Sequence, residues 1–283
     1  MQRFNEIQDI RQQLNVWRMA GERIVFVPTM GNLHQGHLRL VEHAHQHGQR
    51  VVVSIFVNPK QFNDKDDFAA YPNTLEQDEA KLRSAGVDAL FLPSVEVIYP
   101  DGHQRNSEVI VPGLSDILCG AHRPGHFVGV STVVAKLFNI VQADVAVFGE
   151  KDFQQLMVIR RMVSELCFPI EIVGVPTERE SDGLAMSSRN GYLSVAERQQ
   201  ASLLYKVLQQ AKSQLENCDE GIATIEAQAL ETLQNGGFRP EYFSVRSAQD
   251  LSRAQGDTQD LVIVAAAWLG KARLIDNIRL NLG

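Results

Sequence analysis

The segment Pro28-Thr-Met-Gly-Asn-Leu-His-Gln-Gly-His37 stands where an apolar run over 23–28 gives way to a helical pattern. His34 and His37 lie one helical turn apart, so on the first turn of a helix their imidazoles project from the same side. A helix N-terminus offers unpaired backbone N–H groups and the positive end of its dipole, and both favour phosphate. Two imidazoles gripping one phosphate there would stabilise the added negative charge on a pentacoordinate phosphorus, with no covalent intermediate. Gly31 and Gly36 would let the backbone approach such a ligand. An isolated His-x-x-His more often merely caps its helix, but the strand-to-helix setting tips this pair toward phosphate. Zinc is disfavoured, because no third ligand stands at useful spacing and a His-Glu-x-x-His is absent. His43, His45 and His47 fall at the end of the same helical stretch, whose negative pole favours protonated imidazoles, and a solvated structural role is expected of them.

Positioning those groups is the task of the surrounding elements. Ile7, Ile10, Leu14 and Trp17 recur at helical spacing within residues 5–20, with Gly21 to end the helix. The 23–28 run reads as a buried strand, 37–47 as a helix closing at Gly48, and 51–57 as a second strand. Thr74-x-x-Gln77 has the form of a capping box opening a helix that runs to Gly86, and 89–92 is a third buried strand. A helix near 127–142, a strand at 144–148, a helix at 153–167 and a strand at 170–175 continue the alternation. Such alternation predicts a parallel sheet covered on both faces, with ligands in the crevice beyond the carboxyl ends of the strands. After Pro176 the pattern changes. A polar loop over 177–193 leads to the capping box Ser194-Val-Ala-Glu197, then to helical stretches reaching about 217 and spanning about 222–235. Short strands follow at 242–245, 261–266 and 273–275. The expected fold is α/β, a Rossmann-like parallel-sheet domain over 1–176 with a smaller α+β lid domain over 177–283.

Composition bounds the function classes. At 283 residues, with 44% hydrophobic and 22% charged residues, the chain has the make-up of a globular protein with a large core. A net charge of −7 speaks against a dedicated nucleic-acid binder. The first residues lack an apolar signal core and no stretch is apolar enough for a membrane span, so a cytoplasmic location is expected. Cys119, Cys167 and Cys218 form no Cys-x-x-Cys pair and are read as reduced packing residues.

The 28–37 segment resembles the His-x-Gly-His signature of the nucleotidyltransferase superfamily, in the form carried by the pantothenate synthetase family. Further stretches match that family in order: Phe56-Val-Asn-Pro-Lys-Gln-Phe62, Arg123-Pro-Gly-His-Phe-Val-Gly-Val-Ser-Thr132, Phe148-Gly-Glu-Lys-Asp-Phe-Gln-Gln155 and Asp182-Gly-Leu-Ala-Met-Ser-Ser-Arg-Asn190. The resemblance covers essentially the whole chain. It implies a two-step ligase in which pantoate and ATP give pantoyl adenylate and pyrophosphate, and β-alanine then displaces AMP to give pantothenate. Magnesium is expected with the ATP, and a homodimer formed through the first domain is implied.

Carried over residue by residue, the resemblance assigns Met30, Gly31, Asn32, Leu33, His34, Gln35, Gly36 and His37 to the nucleotide site, with His34 and His37 on the phosphates. Gly149, Glu150, Lys151 and Asp152 would serve the same nucleotide, Lys151 as a point charge to phosphate and Asp152 near the ribose. Met186, Ser187, Ser188 and Arg189 would supply hydroxyls and a guanidinium to the phosphates, from a loop whose position suits a closing lid. Gln61 and Gln155 would bind pantoate, Gln61 would also touch β-alanine, and Asn58 and Arg123 would support that pocket. Lys60 and Asn73 depart from the family pattern, where methionine and arginine are usual. Asp78 is a possible magnesium carboxylate, although a charge on a helix face is more often solvated. Competing readings are a dinucleotide-forming enzyme of the same superfamily and a regulatory ATP-binding module. An aminoacyl-tRNA synthetase is the weakest, for want of a basic anticodon-reading part.

Overall fold

The computed structural model describes residues 1–62, 68, 71–217, 220–256 and 258–283; Cys218 lies outside them. The chain divides into two compact units, one made of Met1–Glu150 with Gln155–Pro176 and the other of Lys151–Gln154 with Thr177–Gly283.

In the first unit, β1 (Gln2–Phe4), β2 (Ile24–Thr29), β3 (Arg50–Ile55), β4 (Ala89–Phe91), β5 (Val145–Gly149) and β6 (Glu171–Val175) form one sheet in the order β1-β4-β3-β2-β5-β6. Every pairing is parallel. Helices α1 (Ile7–Met19), α2 (Gln35–Ala44), α3 (Leu75–Ser84), α4 (Val95–Ile98), α5 (Cys119–His122), α6 (His126–Val141) and α7 (Phe153–Glu165) surround it. Alternate residues serve opposite faces of the pleat. Val25, Val27, Val51 and Val53 pack with Val41 and Ala44 of α2 and Leu82 of α3. On the other side Phe26 meets Phe138 of α6 edge to face, ring centres 6.5 Å apart. α6 is buried around nearly its whole circumference, which explains its uniformly apolar sequence.

The order of the strands reverses at β2: β3 lies on one side of it and β5 on the other. The crevice beyond the carboxyl ends of β2 and β5 is therefore the place where such a sheet binds a ligand. β2 ends directly in the 30–34 loop.

The second unit is built from α8 (Val195–Ala201), α9 (Leu203–Glu216), α10 (Ile222–Asn235) and an antiparallel sheet of β7 (Arg239–Ser247), β8 (Asp260–Leu269) and β9 (Ala272–Asn281). Leu204, Leu208, Ile225 and Leu233 pack on Val245, Ile263 and Ala265 to make its core.

Several details differ from the sequence expectation. β1 was not anticipated, because three residues carry no readable period. Thr74 caps α3 without a side-chain bond to the helix backbone; its hydroxyl donates instead to Asp78 Oδ2 at 3.0 Å. Ser194 and Glu197, by contrast, make the full reciprocal box. Cys119 is buried as expected, but Cys167 is exposed, in a turn after α7 with φ 54°.

Candidate active site

The loop leaving β2 is held from below. Thr29 Oγ1 donates to the Ser54 carbonyl at 2.8 Å and accepts from Gly31 N at 3.3 Å. Asp78, almost fully buried, accepts the N–H groups of Asn32 and Leu33, each at 2.8 Å. One turn further along α3, Lys81 Nζ donates to the Leu33 carbonyl at 2.6 Å. Asp78 is therefore not solvated: it grips the loop. Gly31 is dictated by this turn, since its φ is +79° and a Cβ there would stand 3.2 Å from Asp78 Oδ2 and 3.1 Å from Ile55.

His34 is the N-cap of α2. Its Nδ1 accepts from Gly36 N at 3.1 Å, while His37 Nδ1 accepts from His34 N at 3.2 Å. The two imidazoles thus form a reciprocal capping box, ring centres 4.1 Å apart. An Nδ1 that accepts a bond carries no proton, so each neutral ring has its N–H at Nε2. The amides of Gly31, Asn32, Leu33, His34, Gly36 and His37 all donate within the protein. The unpaired backbone cradle anticipated at this helix start is largely satisfied internally, which leaves the Nε2–H groups as the ring donors of the turn. Gln35, the first residue of α2, is exposed.

A second cluster surrounds Gln61, in the 3-10 turn Pro59–Gln61. Asn58 is almost fully buried; its Nδ2 donates to Gln61 Oε1 at 3.1 Å and to the Gly129 carbonyl at 3.0 Å. Its Oδ1 accepts from the Tyr99 hydroxyl at 2.9 Å. Gln61 Nε2 in turn reaches Met30 Sδ at 3.1 Å. The Gln61 carbonyl accepts from Arg123 Nη2 at 3.2 Å and lies 2.8 Å from His126 Nδ1. Because arginine only donates, His126 Nε2, 3.1 Å from Arg123 Nη1, is the acceptor and Nδ1 carries the proton. α6 approaches so closely that a Cβ on Gly129 would stand 2.5 Å from the Lys60 carbonyl.

Tyr99 was missed at the sequence level, since neither spacing nor residue type marks a tyrosine outside the motifs as a neighbour of Asn58; His126 lay within the 123–132 stretch but was given no role there. Burial pushes the Tyr99 phenol up, so it stays a donor. Lys136 lies over the Tyr99 ring at 4.8 Å and donates to the Ile98 carbonyl at 2.7 Å; burial, then the charge of Lys60, lowers its pKa. Lys60 itself turns away from Gln61. It donates to Glu108 Oε1 at 2.7 Å, and to the His103 carbonyl and Asn106 Oδ1 at 3.0 Å each. A cleft of about 370 Å³ opens beyond β3 and β4, lined by Met30, Asn32, Phe56, Tyr71, Asn73 and Ser94 among others. Gln155 is half-buried in the first turn of α7.

In the second unit, Lys151 and Asp152 occupy the 3-10 turn Glu150–Asp152 that follows Gly149, the last residue of β5. The Lys151 side chain is only 18% exposed, its Nζ 3.8 Å from Asp152 Oδ2, so it is not a solvated surface lysine. Its carbonyl accepts from Asn277 Nδ2 at 2.9 Å. Met186, Ser187, Ser188 and Arg189 are half-buried. Met186 N donates to the Glu178 carbonyl, and Ser187 Oγ accepts from Arg189 N at 3.2 Å to cap the 3-10 turn Ser188–Tyr192. His45, expected to be solvated, is exposed but lies with Nε2 2.9 Å from the Ala85 carbonyl. Among the described residues no group of three or more His, Cys, Asp or Glu is arranged to hold a metal, and no helix is long and apolar enough to cross a membrane.

Sheet and loop are those of an α/β enzyme whose crevice opens at a topological switch point. The model of the pantoate–β-alanine ligase family matches residues 2–279. Curated relatives named pantothenate synthetase include those of Shewanella loihica, 56% identical over 273 residues and 96% of both chains, and of Hahella chejuensis, 53% identical over 280 residues and 99% of both. The crystal structure of pantothenate synthetase from Thermus thermophilus superposes with a TM-score of 0.91 at 44% identity, covering 98% of this chain and 99% of that one. The ligase of Francisella tularensis, crystallised with β-γ ATP and β-alanine, gives 0.83 at 34% identity over 98% and 97%. The chain belongs to the pantoate–β-alanine ligase family.

Proposed function

We propose that this protein condenses pantoate with β-alanine at the expense of ATP, through a pantoyl adenylate, releasing pyrophosphate and then AMP. The observation that carries the proposal is the reciprocal His34–His37 cap at the exit of β2, in a chain that matches the family over residues 2–279. In the first step a pantoate carboxylate oxygen attacks the α-phosphorus and pyrophosphate leaves. His34 and His37, their tautomers set by the cap, direct Nε2–H donors at the phosphates where negative charge develops. Lys151 and Arg189, with Ser187 and Ser188, add positive charge and donors to the phosphates. Met30 to His37 and Gly149 to Asp152 line the nucleotide, with Asp152 near the ribose.

Gln61 and Gln155 orient pantoate through amides that both donate and accept, and Gln61 also meets β-alanine. Asn58, being buried, acts through Gln61, while Arg123 steadies the Gln61 main chain. The second step needs chiefly orientation: the β-alanine nitrogen attacks the activated acyl carbon, loses a proton, and AMP departs. ATP is used as its magnesium complex, the ion held by phosphate oxygens and water with few protein ligands. Residues 1–176 are the catalytic and dimer-forming domain, residues 177–283 the lid, and the working enzyme is a cytoplasmic homodimer.

The test is to incubate the protein with ATP, magnesium, pantoate and β-alanine and to measure AMP and pantothenate together, omitting each substrate in turn. Matched amounts of both products, lost on any omission, are expected. Pyrophosphate release without AMP would point instead to a nucleotidyl transfer enzyme.

A further inference from the structure

Within the second unit, neighbouring residues of β9 reach both segments that carry the proposed phosphate contacts. Side chains of adjacent strand residues leave opposite faces of a sheet. Asp276 shares the parity of Ala272, Leu274 and Leu280, which face the helical core. There its carboxylate takes both arms of the Arg179 guanidinium, at 2.6 and 2.9 Å. The same guanidinium donates to the Gly183 carbonyl at 3.1 Å and to the Asn277 carbonyl at 3.3 Å, and lies 3.7 Å over the Tyr205 ring. This fixes the turn closed by the Arg179–Ala185 bridge, from which residues 186–189 emerge. On the other face, Asn277 Nδ2 holds the Lys151 carbonyl at 2.9 Å. Asp276 and Asn277 are 4% and 7% exposed, too deep to meet substrate themselves.

A bidentate, ring-stacked arginine is a stiff joint, because its planar fork fixes direction as well as distance. Phosphoryl transfer is sensitive to displacements of about 1 Å in the groups that meet the phosphates. We propose that Asp276 and Asn277 are a positioning pair that holds Lys151 and residues 186–189 at one mutual spacing, so that both segments meet the phosphates of a single nucleotide. The inference rests on the phosphate roles assigned above.

Pantoate-dependent exchange of pyrophosphate into ATP isolates the first step. Asn277→Leu removes the donor at similar volume, and kcat/KM for ATP in this exchange is expected to fall roughly tenfold, with only the modest drop in melting temperature that loss of one buried hydrogen bond brings and the KM for β-alanine in the full reaction near wild type. Arg179→Lys keeps the charge but loses the fork, and the same split is expected; it carries the test if Asn277→Leu does not fold. Lys151→Met is the reference. Adding Asn277→Leu to it should cost far less than the product of the two single losses, since the group being positioned is already gone. Multiplicative losses, or a parallel fall for every substrate together with the melting temperature, would overturn the pairing. A Lys151→Met enzyme with unchanged exchange would overturn the phosphate reading and the pairing with it. A crippled Lys151→Met beside normal Asn277→Leu and Arg179→Lys enzymes would overturn the pairing alone.

Discussion

The loop leaving β2 and the turn leading to residues 186–189 are both anchored by a buried aspartate, and they are anchored differently. Asp78 takes neutral donors, two main-chain amides and the Thr74 hydroxyl. Asp276 takes a guanidinium and a single main-chain amide, that of Asn277 at 2.8 Å. The first arrangement suits a loop whose origin is already set by a parallel strand, so that only the last peptide planes need fixing. The second suits a turn that begins several residues past the end of β6, where a long side chain must span the gap. Burial pushes the Asp276 carboxyl above the usual carboxylate range, and the Arg179 fork pulls back against that rise. Asp78 holds backbone directly and should tolerate little; Asp276 reaches the 179–185 turn through the Arg179 side chain, whose other bonds to the Gly183 and Asn277 carbonyls remain, and should fail more gradually.

Asp78→Asn breaks the comparison on its stronger side. The amide can offer one oxygen where two N–H groups need acceptors, so a buried donor loses its partner at a cost of about 3 kcal/mol. The loop carrying the histidine cap loosens with it. A lower urea midpoint and a several-fold higher KM for ATP are expected, with the KM for β-alanine little changed. A variant as stable as wild type would mean that the sheet alone sets the loop.

That dependence on Asp78 marks where sequence reading stops. The alternation of strands and helices, the change of pattern after Pro176 and the motif at the end of β2 were all legible, because they depend on periods of two and 3.6 residues and on local turn chemistry. The same capping signature succeeded at Ser194 and failed at Thr74, since the Thr74 hydroxyl is claimed by a carboxylate that is itself occupied with the β2 loop. His34 and His37 were legible as a pair, whereas their part in capping the helix backbone required the helix start to be seen at Gln35 rather than at His37. Arg179 and Asp276 are separated by 97 positions and carry no local signal of their pairing. Cys167 looked like a packing residue by type, yet it occupies a surface turn.

Tyr99→Phe sharpens the comparison within the first unit, where a hydroxyl steadies Asn58 and, through it, Gln61. Loss of one buried hydrogen bond should cost about 1 kcal/mol, with the KM for pantoate raised and that for ATP unchanged. The pH dependence supplies a separate readout. Burial raises the folded phenol's pKa, so the unfolded chain begins to lose this proton near pH 10 while the folded one keeps it. Stability from this group is complete below that pH and declines as the pH rises past it. Alkaline denaturation should therefore be shallower in Tyr99→Phe than in wild type.

The smallest effect is expected at Lys60, although it stands beside Gln61 in sequence. Its ammonium is directed to Glu108, Asn106 and the His103 carbonyl, so its charge ties down a neighbouring segment instead of entering the Gln61 cluster. Glu108 is 45% exposed, which screens that ion pair. Lys60→Met should lower stability by about 1 kcal/mol and change the Michaelis constants only modestly. Stability curves beside full kinetics would check both. A large rise in the KM for pantoate would show that the 103–108 segment bears on the Gln61 cluster, and the first unit would then depend, like the second, on a long cationic side chain to hold its site in register.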